Sequence, residues 1–86
     1  LIEYLNGLPL AERDPLCREC GTSENYVRKA ASTGQLLSPA VCVRFERHTQ
    51  KAVRRWDLRP DDWADIWPEL AGTKGAPDLA VAAKAA

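Results

Sequence analysis

With 86 residues, 45% of them apolar, the chain can build one compact domain but not two cores. A domain this small leaves little room for a deep substrate cleft, which weighs against an enzyme before any motif is read. Its 12 basic and 12 acidic side chains cancel overall but not locally: residues 1–27 carry a net −3, residues 28–59 a net +6 and residues 60–86 a net −3. A basic centre between acidic ends is the footprint expected of a protein with one face for a polyanion, and equally of an ordinary surface on which charges cluster.

The first element predicted is an amphipathic helix, since Leu1, Leu5 and Leu8 recur at helical spacing beside Ile2 and the pattern stops at Gly7 to Pro9. Asp14 followed by Pro15 predicts the start of a second helix, with a side-chain oxygen at the N-cap and proline at the first helical position. Gly21 ends that helix as a residue able to take the left-handed conformation. Ser23 then caps a third helix running to about Ser32, with Val27 and Ala30 on one face and Gly34 as its stop. Two short helices around a tight turn are the outcome.

Ser38-Pro39 repeats the cap-then-proline signal, and Val41, Cys42, Phe45 and His48 follow at the spacing of a fourth helix ending near His48 to Gln50. Residues 51–56 are too short a run to assign and allow either an extended segment or one β-strand. Pro60-Asp61-Asp62 opens a last short helix carrying Trp63, Ile66 and Trp67, closed by Pro68. The fold class expected is therefore mainly all-α, a bundle of four to five short helices over residues 1–70. Residues 71–86, rich in Ala and Gly, read as a flexible tail.

No stretch approaches the roughly 20 apolar residues of a membrane span, and Glu3 and Asn6 interrupt the N-terminal segment where a signal peptide would be apolar, so the expected location is the cytoplasm. Cys17, Cys20 and Cys42 are an odd number of cysteines, which argues against a disulfide framework. With His48 they could supply four zinc ligands. They also fall where the helices require small apolar groups, and buried free thiols are the favoured reading, with no metal and no other cofactor. One histidine supports no Ser/His/Asp set, and no paired-carboxylate pocket or phosphate-binding glycine loop is present, so no small-molecule chemistry is expected.

If Gly21 is the turn glycine, then Leu16, Cys20, Val27 and Ala30 face the core and Cys17 takes the position of closest helix approach. In this register the chain resembles the Cro family of phage and prophage repressors, specifically the YdaS-like Cro proteins. The resemblance rests on Tyr4-Leu5-Asn6 with Leu8-Pro9, on Cys20-Gly21-Thr22-Ser23, on Tyr26-Val27-Arg28-Lys29-Ala30 and on Asp57-Leu58-Arg59-Pro60-Asp61-Asp62-Trp63. It spans residues 1 to about 70. Two positions depart from it: Gln35 stands where an arginine would be sought, which puts a neutral amide in place of a charged phosphate contact, and Cys17 replaces the usual alanine.

The resemblance implies a lambda-repressor-like helix-turn-helix fold and a homodimer repressing transcription at a two-fold double-stranded DNA operator, with the helix of residues 23–32 in the major groove. It places Glu24, Asn25, Arg28 and Lys29 against base edges, where a guanidinium can grip guanine, an amide adenine, and a carboxylate can accept from cytosine. Glu24 could equally serve the helix dipole alone, and Arg28 and Lys29 could be solvated charges. Thr22, Ser23, Ser32, Thr33 and Gln35 are expected at backbone phosphates, and Tyr26 in the core rather than on the backbone. Arg44, Arg47, Arg54 and Arg55 are expected to raise the local potential, with Arg54 facing phosphate. Trp63 and Trp67 lie among Asp61, Asp62, Asp65 and Glu69, so core packing or self-association suits them better than stacking on a single strand. The alternative role is the antitoxin of a toxin–antitoxin pair that also binds its own promoter.

Overall fold

The computed structural model describes residues 1–77, and they form a mainly α-helical fold with no strand among them. The helices are α1 (Ile2–Gly7), α2 (Leu10–Glu19), α3 (Glu24–Thr33), α4 (Pro39–His48), α5 (Arg55–Leu58) and α6 (Trp63–Ile66), followed by one 3₁₀ turn, Pro68–Leu70. None is long and apolar enough to cross a membrane.

α1 to α3 form the first layer, each packing on the other two. The sequence places α2 too late, because Pro9 rather than Asp14 is its N-cap and Pro15 lies inside it. Pro15 is tolerated because it is exposed, so the Ala11 carbonyl that would have accepted its missing N–H stays open to water. The sharp corner between α1 and α2 is held by Arg13, whose Nε donates to the Leu8 carbonyl at 3.1 Å and whose Nη2 donates to that of Asn6 at 3.1 Å. A basic side chain thereby satisfies carbonyls that the end of a helix leaves unpaired.

Gly21 turns the chain between α2 and α3 at φ 86°, and Gly34 ends α3 at φ 73°, both in the left-handed region that glycine enters at little cost. α4 begins at Ser38, whose hydroxyl accepts the Val41 N–H at 3.4 Å, with Pro39 in the first turn. It packs across α2 and onto α5. Leu5, Cys17, Cys20, Cys42 and Phe45 are fully enclosed where these helices meet.

Residues 51–56 form neither a strand nor an extended run. Gln50 and Lys51 both take positive φ, 52° and 67°, and reverse the chain directly into α5. Thr49, itself buried, closes the turn: its hydroxyl donates to the Phe45 carbonyl at 2.6 Å and accepts the Val53 N–H at 3.2 Å. Trp56 then meets Trp63 edge to face at 5.7 Å, and with Trp67 and Leu70 they form a second, tryptophan-rich layer of the same hydrophobic core. The tryptophans are thus core residues. Packing continues past residue 70, with Ala76 against the core and Thr73 donating to the Leu70 carbonyl at 2.6 Å; residues 78–86 of the expected tail lie outside the described residues.

The candidate nucleic-acid interface

Two acceptors from different elements fix the start of α3. Ser23 is extended, and its Oγ accepts the Tyr26 N–H at 3.1 Å. Asp14, on the middle of α2, sends Oδ1 to the Glu24 N–H at 2.9 Å. The residue that the sequence marks as the cap of α2 therefore caps α3, locking the two helices of the unit together. That backbone hydrogen bond, with Arg18 beside it, holds the Asp14 carboxyl below its ordinary value.

From this start α3 presents Asn25, Tyr26, Lys29, Ser32 and Thr33 outward, positions that share one side of a helix, while Val27 and Ala30 face the core. Asn25 and Lys29 make no side-chain hydrogen bond or ion pair among the described residues. Tyr26 is not a core residue as expected: it is 46% exposed and takes a hydrogen bond from Gln35 Nε2 at 3.2 Å. One residue before Val27 on the helix, it falls on the solvent side of the buried stripe. Ser32 and Thr33 are exposed, but each hydroxyl donates to the Lys29 carbonyl at 2.9 Å, so their hydrogens serve the end of α3.

Arg28 and Glu24 form a pair. Arg28 Nε meets Glu24 Oε2 at 2.9 Å, and Nη2 donates to Asn6 Oδ1 at 3.0 Å, tying α3 to α1. Both side chains are about a third exposed or less. The guanidinium is at the rim of the α3 face, with its Nε–H and one Nη2–H already engaged.

Beside the start of α3 runs a groove lined by Arg18, Thr22, Ser23, Tyr26, Ser38 and Val41. The capped N-termini of α3 and α4 both border it, and the Arg18 guanidinium and the Thr22 hydroxyl on its lining are the groups that would favour an anion. Arg44 borders the same turn: its Nη1 lies 3.5 Å from the Cys20 carbonyl and covers Gly21, where a Cβ would collide with it.

The remaining basic residues of 28–59 are elsewhere. Arg54 and Arg55 flank the buried carboxylate of Glu46, each 3.3 Å from one of its oxygens, and lie over Trp56 and Trp67. Arg59 pairs with Asp62 at 3.0 Å. Arg54 is therefore paired within its own part of the fold; the periodicity of charges along the chain carries no sign of a pairing across the turn at Gln50 and Lys51. The three thiols are buried in the helical core and are not gathered with His48, and among the described residues no group of three ligands could hold a metal. Burial pushes the Cys20 and Cys42 thiols up to about 11.

Comparison with protein-family models, with curated proteins and with solved structures returned no match to this chain.

Proposed function

We propose that this chain is a double-stranded DNA-binding module that reads the major groove with α3, and that it acts as a transcriptional regulator of the Cro kind. The observation carrying this reading is the outward face of α3, where Asn25 and Lys29 stand free of internal partners on a helix clamped by Ser23 and Asp14. An amide and an ammonium one turn apart can address adjacent base edges, since the amide pairs with adenine N6 and N7 and the ammonium with guanine O6 and N7. The groove between the starts of α3 and α4 takes the neighbouring phosphate, with Arg18 and Arg44 at its edges and Gln35 held by Tyr26 on the far side. Glu24 and Arg28 act as a pair at the rim, and two copies of the chain read a two-fold site.

Selection of bound duplexes from a random library tests this directly. An enriched, two-fold sequence is the expected result, with binding to it lost when Asn25 and Lys29 are both replaced by alanine. No enrichment, or no duplex binding even at low salt, overturns the reading.

A further inference from the structure

The half of the molecule that contributes nothing to α3 has a charged cleft of its own. An open cavity of about 370 Å³ is lined by Lys51, Arg54, Arg55 and Lys74, with Glu46 as the one carboxylate. A second cleft shares Glu46, Lys51 and Arg55 with it and adds Arg47. No residue of α1, α2 or α3 lines either one.

Glu46 is already committed. One oxygen accepts the Arg55 backbone N–H at 3.1 Å and lies 3.3 Å from Arg54 Nε; the other lies 3.3 Å from Arg55 Nη2. These guanidinium contacts are close enough for ion pairing but not aligned, and the Nε atoms of both arginines are buried without a hydrogen-bond partner. The two side chains are also immobilised, Arg54 at 4.2 Å over Trp56 and Arg55 at 5.2 Å over Trp67. Folding has thus partly dehydrated two cations around one anion, and Lys51 and Lys74 add exposed positive charge at the mouth. Gln50 and Lys51 hold left-handed backbone without glycine, a strained turn that brings Lys51 to the cleft.

We propose that this cleft is a binding site for phosphate, taking linked phosphoryl groups across its two lobes. The lining of the larger lobe carries four cations against one carboxylate, an excess that a single carboxylate ligand would not balance and a multiply charged phosphate would. The arginines are ordered before any ligand arrives, so little conformational entropy remains to be lost on binding. The site is independent of the reading of α3.

Titration of the full chain with sodium pyrophosphate, followed by tryptophan fluorescence because Trp56 and Trp67 underlie the arginines, tests the proposal against sodium chloride at matched ionic strength. A saturable change with pyrophosphate is expected. Lys51→Glu and Lys74→Glu, both at exposed positions, should each weaken it about tenfold with unchanged circular dichroism, while Lys29→Glu on α3 leaves it as it was. A response no larger than that to chloride, or equal binding by all three variants, overturns the site. A duplex that displaces pyrophosphate, and is itself bound more weakly by Lys51→Glu, identifies a nucleic-acid backbone as the source of the phosphate. Failure of the duplex to compete identifies a free oligophosphate. Loss of pyrophosphate binding in Lys51→Glu with duplex binding intact separates this site from α3.

Discussion

The helix-turn-helix layer and the tryptophan layer use arginine in opposite ways. In the first, Arg18 lies along the surface with its side chain 68% exposed and Arg44 covers the turn at Gly21. In the second, Arg54 and Arg55 are 23% and 17% exposed, clamped between a buried carboxylate and indole rings. The basic side chains therefore divide into charge on the open surface, as at Arg18 and Arg44, and charge held beside an internal carboxylate, as at Arg54 and Arg55. Net charge along a chain measures neither until the acids that answer it are located in space.

The sharpest way to break the contrast is to remove the acid on which the second layer depends. Glu46→Gln leaves two dehydrated guanidiniums without a counter-charge and should cost about 3–5 kcal/mol, measured by urea unfolding. Arg18→Ala, which breaks the exposed pair with Asp14, should change stability by about 1 kcal/mol or less. If the two variants unfold alike, the arginines of the tryptophan layer are solvated and the distinction between the layers is lost.

Binding sharpens the same comparison from the other side. Replacing Asn25 or Lys29 with alanine should cost about 1–3 kcal/mol on the selected duplex and little on a scrambled one. Arg54→Ala should lower the melting temperature yet leave the salt dependence of duplex binding unchanged, since it lines a cleft to which no residue of α3 contributes. With Arg18, Lys29 and Arg44 as the cations near the α3 face, log affinity should fall against log salt with a slope of about −3. A slope two or three times steeper would mean that the basic residues of the tryptophan layer also reach the duplex.

Much of the first layer is legible in the sequence because its signals are local. Ser23 and Gly34 bound α3, Ser38-Pro39 opens α4, and Gly21 marks the turn; the structure places each within about a residue of the expectation. Asp14-Pro15 misleads for a physical reason. The same dipeptide that begins a helix is also compatible with an exposed position inside one, and the oxygen of Asp14 caps a helix ten residues away. Tyr26 misleads because its spacing from Val27 and Ala30 does not decide on which side of the buried stripe it falls. In the second layer the short helix at Trp63 and the burial of its tryptophans are legible, but the pairing of Glu46 with Arg54 and Arg55 is not, because it requires the reversal at Gln50 and Lys51, where no glycine or proline announces a turn.

The cap that joins α2 to α3 has a pH signature of modest size. The Asp14 carboxyl titrates below its ordinary value near 3.8, because the charged form accepts the Glu24 N–H and faces Arg18. A depressed folded-state value means that its contribution is complete above the unfolded value and is lost as pH falls through the folded one. Asp14→Asn should therefore be less stable than the parent chain at neutral pH, and the two should begin to converge as pH falls below about 3.8 and meet only once it passes the lowered folded-state value. A difference that persists unchanged in acid would assign the effect to packing rather than to the cap.

The smallest effect tests the pair at the rim of α3. Arg28 holds Glu24 at 2.9 Å and Asn6 at 3.0 Å, so Glu24 either aims the guanidinium at a base or withholds its charge from the duplex. The two roles differ in sign. If Glu24 withholds charge, Glu24→Gln adds one net positive charge at the helix proposed to read DNA, and affinity should rise by about threefold for selected and scrambled duplexes alike. If Glu24 aims Arg28, the same substitution should lower affinity for the selected duplex alone. The geometry favours the first, since the guanidinium is bound on two sides to α1 and α3 and only its remaining N–H groups face outward. Loss of the favourable carboxylate in the first turn of α3 should cost about 0.3–1 kcal/mol of stability, so unfolding must be measured beside binding. Equal gains on both duplexes leave Asn25 and Lys29 as the readers; a loss confined to the selected duplex adds Arg28 to them and makes Glu24 its positioning residue.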